Sequence, residues 1–363
     1  MNWAKMLMRS WITIVCLVVA LSAAAQDSLN AVQPEGRKLS WLRRTIRGFS
    51  YIDTSYVEPQ HYNWSVMAQG TYTYDYYRLS ANEQSILFAP APTFKFGPYF
   101  GWRWIFLGYT VALNKADVSK LKLELDASIY AAQVGVDVYY RRTVSDYRIR
   151  EVKLGRNVIG DRLEDVPFDG LKVGITGFNA YYIFNHQRFS YPAAFAQSTM
   201  QKISCGTWMA GLGYMRNSLD FDHEKLEEVV REHAGQTVRL DSGLMFNSVK
   251  YYNVSLSAGY AYNWVFARNC LFCASLMASL AYKTARGETV DDDRSGFDLH
   301  NINLDGIGRF AVVYNNNRWY AGASAIVRAY RYHKPQFEAN NIFGNFNFYV
   351  GFNFGARGGY KKR

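Results

Sequence analysis

The chain has 363 residues, of which 41 are Lys or Arg and 30 are Asp or Glu, so its formal net charge is +11 at pH 7. Aromatic residues make up 17% of the chain, 28 residues are Gly, and the mean hydropathy is −0.20. An α-helical membrane protein would show repeated apolar runs of about 20 residues. The composition argues against that class, and the length suits one barrel domain.

The amino terminus has the pattern of a secretory signal. Lys5 and Arg9 form a basic region, Trp11–Leu21 is a short apolar run, and Ala23–Ala25 offers small residues before a cleavage site. This order predicts a cleaved signal peptide over residues 1–25. An anchor helix is the alternative, although the short apolar run favours the signal peptide. We therefore expect an exported protein.

Residues 26–50 are polar and then basic, and they precede the first strand-like run. Within them, Leu39, Leu42, Ile46 and Phe49 recur at helical spacing, which predicts a short amphipathic helix. We interpret this stretch as a periplasmic lead-in. Contact with membrane head groups is the alternative, and nucleic acid is not an expected partner of an exported protein.

Alternation of apolar and polar residues dominates the rest of the chain. In the last run, Asn345–Gly355, Phe and Val fall on one face while Asn, Tyr and Gly fall on the other. Such runs of about ten residues, with aromatic residues near their ends, are typical of a transmembrane β-barrel. We predict an all-β, antiparallel up-and-down barrel over residues 51–357, followed by a basic tail at 358–363. The predicted runs number about 12, within 10–14: 64–79, 84–96, 99–113, 121–141, 147–154, 171–184, 203–216, 248–264, 271–284, 301–314, 319–332 and 345–355.

Two of these runs are irregular. Pro90 and Pro92 disturb the run Gln84–Phe96, because proline cannot donate to a strand ladder. In Leu121–Arg141 the apolar set changes phase, which predicts a bulge near Ala132–Gln133.

The links between runs alternate in length, as in outer-membrane barrels. The links predicted outside are mostly long, and Asp222–Glu232 within one of them has the pattern of a short helix. The short links predicted on the periplasmic side are 97–98, 142–146, 267–270 and 315–317.

The long link at 185–202 breaks this alternation. It contains Phe189, Ser190, Tyr191, Pro192 and Phe195, and long ordered loops are often functional. Two interpretations stay open, a partial plug folded into the barrel mouth and an ordinary turn against the barrel base.

Three motifs resemble a known family. They are Asp53-Thr54-Ser55-Tyr56 with Pro59 and Tyr62-Asn63, Phe189–Phe195, and Tyr349–Phe354. The chain resembles, over roughly residues 47–357, an exported Bacteroidetes outer-membrane β-barrel family described as a domain of unknown function, DUF4421. This resemblance implies an outer-membrane barrel and brings no activity, ligand or catalytic residue.

The alternation places several charges inside the predicted barrel. Charges within a membrane protein usually pair or line water. Here they are either the lining of a pore or a salt-bridge network that fills the interior. The predicted interior charges are Asp75, Arg103, Glu124, Asp126, Asp305, Arg309 and Arg328.

Other chemistry is poorly supported. Cys270 and Cys273 have the spacing of a metal or redox pair, but no second such pair follows, so structural thiols are expected. His186 and Ser190 are the one pairing to consider for a hydrolase or acyltransferase, and GxSxG and HExxH motifs are absent. We expect no enzyme activity, no cofactor and no metal. The sequence favours outer-membrane passage or binding of a small solute or lipid, with a structural anchor as the alternative.

Overall fold

A computed structural model describes residues 52–360, except 103–104, 109–110, 114–121, 145, 155–156, 159–162, 164, 236–238, 290–296 and 335–336. The predicted signal peptide and the amphipathic lead-in helix lie outside these residues. Within the described part, none of the helices is both long enough and apolar enough to span a membrane.

The described residues are mostly in antiparallel strands. The strands are β1 (Val57–Pro59), β2 (Tyr62–Ala81), β3 (Gln84–Pro90), β4 (Thr93–Trp102), β5 (Ile105–Gly108), β6 (Val111–Ala112), β7 (Lys122–Tyr130), β8 (Val134–Val144), β9 (Tyr147–Leu154), β10 (Asn157–Val158), β11 (Val166–Phe168), β12 (Leu171–Ile183), β13 (Thr199–Gln201), β14 (Cys205–Phe221), β15 (Phe246–Ala267), β16 (Cys270–Thr289), β17 (Phe297–Asn315), β18 (Trp319–Lys334) and β19 (Phe337–Ala356). Two helices, α1 (Tyr191–Phe195) and α2 (His223–Ala234), lie in the links.

One long sheet organises the chain. Neighbouring strands pair in the order β7, β8, β12, β14, β15, β16, β17, β18, β19, β2 and β4. The other edge of β4 pairs with β5 and β6. The sheet is barrel-shaped. Its curvature brings Arg309 on β17 into contact with Asp137 on β8, although four strands lie between them in the pairing order. One face of the sheet therefore encloses an interior.

The two faces have the polarity opposite to that of a water-soluble protein. Arg309 and Arg328 on the inner face are fully buried, whereas Leu304 and Ile302 on the outer face are 65% and 70% exposed. Successive side chains of a strand point to opposite faces of the sheet, so the residues on the outer face determine which residues lie on the inner face. The outer surface is thus apolar, and charged side chains lie buried in the interior.

The sheet has two distinct ends. At the short-turn end, the described links Ala131–Gln133, Arg268–Asn269 and Asn316–Arg318 join neighbouring strands. The opposite, long-loop end carries α2, which begins at the capping residue Asp222, close to the predicted Asp222–Glu232 helix.

An apolar cluster fills the long-loop end. Leu226 and Val230 of α2 pack with Phe168, Phe221 and further buried side chains of the surrounding strands. The pair β3 and β9 adds to this end, since β3 pairs with the end of β2 and β9 pairs with β3 and β11.

The predicted run 84–96 is strand-like but is interrupted at Ala91 and Pro92. It forms β3 and the start of β4, which both pair antiparallel with the same edge of β2. The chain therefore keeps its direction, and the register shifts by one residue between the pairs Phe88–Tyr77 and Thr93–Thr73. The predicted link at 97–98 is wrong, because Gly97 and Pro98 pair with Gln69 and Ala68 inside β4.

The predicted bulge near Ala132–Gln133 is a hairpin turn instead. The Ala131 N–H donates to the Val134 carbonyl at 3.0 Å, and Tyr130 pairs with Gly135. A two-strand hairpin and a bulge both shift the phase of alternation, so the pattern alone did not separate them. The link at 142–146 consequently lies at the long-loop end rather than on the short-turn side.

Gly344 allows two outer strands to approach closely, which yields a stability prediction. A Cβ at Gly344 would lie 1.9 Å from the backbone carbonyl oxygen of Ile326, so the strands would have to separate. We expect Gly344→Val to destabilise the chain by about 1–3 kcal/mol, measured by urea unfolding in detergent micelles. Gly306→Val is the control, because a Cβ there meets its nearest atom at 4.0 Å. Equal midpoints for both variants would contradict this packing.

Candidate functional site: the filled interior and the wall pocket

A charged layer crosses the middle of the interior. Arg309 Nη2 donates to Asp137 Oδ2, and Asp137 Oδ1 also accepts a 2.6 Å hydrogen bond from the Ser128 hydroxyl. The Arg309 guanidinium lies 4.9 Å from the centre of the Tyr181 ring. Arg328 lies 5.0 Å from the Tyr139 ring. Charged and aromatic groups from well-separated strands therefore meet across the interior.

A second charged group lies nearer the long-loop end. Lys283 Nζ is 2.8 Å from Asp305 Oδ1, and both side chains are 1% exposed. Asp305 also accepts from Asn253 at 3.0 Å and from the backbone N–H of Arg331 at 3.0 Å. Lys283 donates in turn to the Arg331 carbonyl at 2.6 Å. These two side chains thus bind the backbone of β18 as a strand partner would.

The link between β12 and β14 enters the interior from the short-turn end. Here α1 begins after Ser190, whose hydroxyl accepts from Ala193 N at 3.3 Å, and Pro192 occupies the first turn. The Tyr191 hydroxyl donates to Ser275 on β16, and Gln197 donates to the Tyr349 hydroxyl at 2.6 Å. Residues 189–198 therefore contact inward-facing side chains, and β13 pairs with β1 beneath them.

A pocket of about 600 Å³ opens on the outer wall. It is lined by the outward-facing Leu304, Ala329 and Ile342, but also by the buried Asp305 and the half-buried Tyr330. A volume of this size lies in the range of small-molecule sites. The pocket thus joins the apolar outer surface to the charged group at Lys283 and Asp305.

Comparison with protein families identifies the chain. The model described as "Domain of unknown function (DUF4421)" matches residues 51–354, most of the chain and nearly all of its described strands. The chain belongs to the DUF4421 family. This agrees with the resemblance noted from the sequence motifs. No curated protein matches the chain.

Solved structures similar to this DUF4421 chain are outer-membrane β-barrels. The outer-membrane protease OmpT from Escherichia coli has 8% identity and a TM-score of 0.34, covering 83% of this chain and 100% of that chain. The translocator domain of the autotransporter NalP from Neisseria meningitidis has 9% identity and a TM-score of 0.32, covering 95% and 98%. An outer-membrane channel from Pseudomonas putida F1 has 10% identity and a TM-score of 0.30, covering 81% and 99%.

Most of the interior charges predicted for the DUF4421 chain fall on the inner face. Asp75, Asp305, Arg309 and Arg328 are each at most 4% exposed. Asp75 accepts from Tyr147 at 3.3 Å and Asn341 at 3.1 Å. Arg103 lies outside the described residues. The backbones of Glu124 and Asp126 pair with Arg141 and Tyr139, and their side chains lie outside the description. The hydrogen-bond partners of Asp305 and of Asp75 thus differ from those of Arg309.

The candidate plug residues of the DUF4421 chain lie in the segment that enters the interior. Phe189 and Tyr191 are fully buried, Ser190 is 4% exposed, and Pro192 is buried in α1. The Phe195 ring stacks on Tyr191, with 5.2 Å between the ring centres. All five predicted residues therefore lie against the interior.

Two important charges, Asp137 and Lys283, escaped the sequence interpretation of the DUF4421 chain. Asp137 is fully buried and binds Arg309, and Lys283 binds Asp305. Both follow the alternation: Asp137 lies between Val136 and Val138, and Lys283 follows the exposed Tyr282. Counting alternate residues strictly from Val138 and Tyr282 would have placed both charges on the inner face.

The catalytic pairing considered for the DUF4421 chain is not formed among these residues. The Ser190 hydroxyl is 2.7 Å from the Thr199 hydroxyl, and His186 Nε2 is 3.1 Å from Gln133 Nε2. Burial lowers the pKa of His186 below its usual value. Cys270 and Cys273 are free thiols, as is Cys205.

Proposed function

We propose that the chain is an exported outer-membrane β-barrel that is closed to ions, binds a small apolar solute or lipid at its wall, and carries out no catalysis. The proposal counts β5 and β6 as one strand and joins that strand to β7, which gives about twelve strands around the barrel, an even number as in bacterial barrels. The short-turn end then faces the periplasm, and the predicted signal peptide accounts for export.

Two aromatic belts on the outer surface support a membrane location. Trp64, Trp208 and Trp319 are exposed near the short-turn end, while Tyr76 and Tyr282 are exposed towards the long-loop end. Trp64 and Tyr76 are about 12 residues apart on β2, so with strand tilts near 40° they are separated by about 30 Å along the membrane normal. That distance fits the apolar band of an outer-membrane barrel with its interfacial aromatic residues.

The filled interior is the observation that carries this proposal. Residues 189–198, the Arg309 and Asp137 layer, and the apolar cluster around α2 occupy three successive levels. A solute crossing along the axis would have to displace all three. The wall pocket, by contrast, opens directly onto the surface that faces lipid. Binding from the membrane side is therefore the simplest use of this architecture.

Single-channel recording tests the proposal. The refolded wild-type chain in planar bilayers is expected to give no stable openings. A variant with residues 187–202 replaced by a Gly-Ser linker is expected to stay silent as well, because the central layer and the apolar cluster remain. Heat-dependent migration on gels is the control for insertion. Stable openings from either inserted protein would overturn the closed barrel.

A structural anchor is the second candidate. The same filled interior favours it, since a barrel without a path can serve to hold its loops and its lead-in at the membrane. An anchor predicts a protein partner that co-purifies with the full chain and is lost when Leu39–Phe49 is deleted. A co-purified lipid instead of a protein would favour wall binding.

A further inference from the structure

Strands β17 and β18 of the wall are paired over only part of their length. The β17–β18 register ends at Gly306 paired with Ala329, although β17 begins at Phe297 and β18 continues to Lys334. Beyond that point β17 stays paired with β16, and β18 stays paired with β19. Within the described residues, the two strands therefore separate over the long-loop half of the wall. We call this separation the β17–β18 split.

Polar groups at the base of the split are satisfied by side chains rather than by the neighbouring strand. The Arg331 N–H donates to Asp305 and the Arg331 carbonyl accepts from Lys283. In a membrane, unsatisfied backbone groups cost several kcal/mol each, so an ordinary break would be unfavourable there. The buried Lys283 and Asp305 pair makes the break compatible with a lipid environment.

The split coincides with the wall pocket. Leu304 and Gly306 line it from β17, and Ala329 and Tyr330 line it from β18. Leu304 is 65% exposed and continues the apolar outer surface formed by Leu276 and others. Most of the lining surface is apolar, although Arg78, Asp305, Arg331 and Asn340 also line the opening. Because the opening is continuous with the lipid-facing surface, it suits a hydrocarbon chain.

A cation lies at the rim of the same opening. The Arg331 side chain is 61% exposed, and its Nε donates to Glu338 at 2.8 Å. A guanidinium has five N–H donors in a fork that matches phosphate and carboxylate, so that bond leaves the Nη groups for an anion. Tyr282 of the aromatic belt pairs with Ile302, two residues beyond Leu304. Arg331 therefore lies near the level of lipid head groups.

We infer that the β17–β18 split is a binding site for a membrane lipid with an anionic head group, whose acyl chain enters between the strands while Arg331 holds the head group. This inference rests on the proposed membrane barrel and names its ligand class. The Lys283 and Asp305 pair closes the inner side of the site.

Photo-labelling in lipid nanodiscs tests the site. The full chain is reconstituted with phosphatidylglycerol that carries a photoactivatable acyl chain, and labelled peptides are mapped by mass spectrometry. Peptides containing Leu304 and Ala329 are expected to be labelled about fivefold more than those containing Leu212, which is equally lipid-facing. Uniform labelling of the wall would overturn the site.

Matched variants separate the site from general lipid contact. Ala329→Trp fills the split and is expected to reduce the local labelling about fivefold, whereas Ala210→Trp, on the outward face of β14, leaves it unchanged. The same label on phosphatidylcholine is expected to be about threefold weaker, and Arg331→Gln removes that difference. Equal labelling by both lipids in wild type would overturn the anionic assignment.

One control distinguishes this inference from the proposed function. Each preparation is tested for heat-dependent migration, which reports a folded barrel in the membrane. A chain that lacks it overturns the membrane barrel itself. A chain that shows it, remains silent in bilayers and is labelled uniformly overturns only the β17–β18 site.

Discussion

Asp137→Ala is expected to destabilise the folded chain by roughly 3–5 kcal/mol, because it leaves the Arg309 guanidinium buried without its carboxylate. The loss is large because Arg309 and Asp137 are both fully buried, so solvent cannot replace the missing partner. Urea unfolding in detergent micelles measures it as a lower midpoint. The heat-dependent gel shift should disappear at a correspondingly lower temperature.

The double variant Asp137→Leu with Arg309→Met provides the critical comparison. Replacing a buried ion pair by apolar residues of similar volume is often neutral or stabilising, so this variant is expected to recover most of the lost stability. Asp220→Ala is the control, since Asp220 is exposed and its carboxylate accepts from Ser248 at 2.8 Å. If the single Asp137 variant matched the control, the central layer would not stabilise the barrel.

Asp305→Ala is expected to loosen β18 beside the split. It removes the acceptor for the Arg331 N–H and leaves Lys283 as a buried cation without its carboxylate. Hydrogen exchange of peptides covering residues 329–334 should accelerate by about 10–100-fold, which corresponds to roughly 1.4–2.8 kcal/mol of local opening. Peptides from β14 should be unaffected.

Ser279→Ala is the matched control for Asp305→Ala. Ser279 is the register partner of Asp305 on β16 and is 5% exposed, so the substitution perturbs the same level of the interior without removing a charge. Asp305→Asn keeps an acceptor for the Arg331 N–H, and its exchange rate should fall between those of wild type and Asp305→Ala. Equal exchange in the alanine variants of Ser279 and Asp305 would contradict the bridging role.

The alternation of side chains predicted the later part of the sheet well. The runs predicted from Leu171 onward overlap β12 and β14 to β19 and extend beyond them by at most two residues, and their apolar faces point outward. A one-residue slip would turn these exposed apolar side chains into the interior. The helix predicted within Asp222–Glu232 also overlaps α2, whose start is fixed by the Asp222 cap.

The first part of the sheet was less predictable. A hairpin at Ala131–Gln133 and a bulge leave the same phase change in the sequence. The pairing of β3 with β9 joins residues that are far apart in the chain, so no local pattern indicates it. Contacts such as Arg309 with Asp137 depend on which strands curl to face each other. The split depends on where the β17–β18 register stops, and alternation carries no information on that point.

The position of residues 189–198 constrains the order in which the chain can assemble. Their contacts reach β16 and β19, and β13 beneath them pairs with β1, the first strand of the described residues. The pairing of β2 with β19 joins residues as far apart as Trp64 and Phe354, and contacts so distant in sequence form slowly because of their loop-closure entropy. We therefore expect the local hairpins to form first. The pairing of β2 with β19 then closes the sheet around residues 189–198, which are already inside.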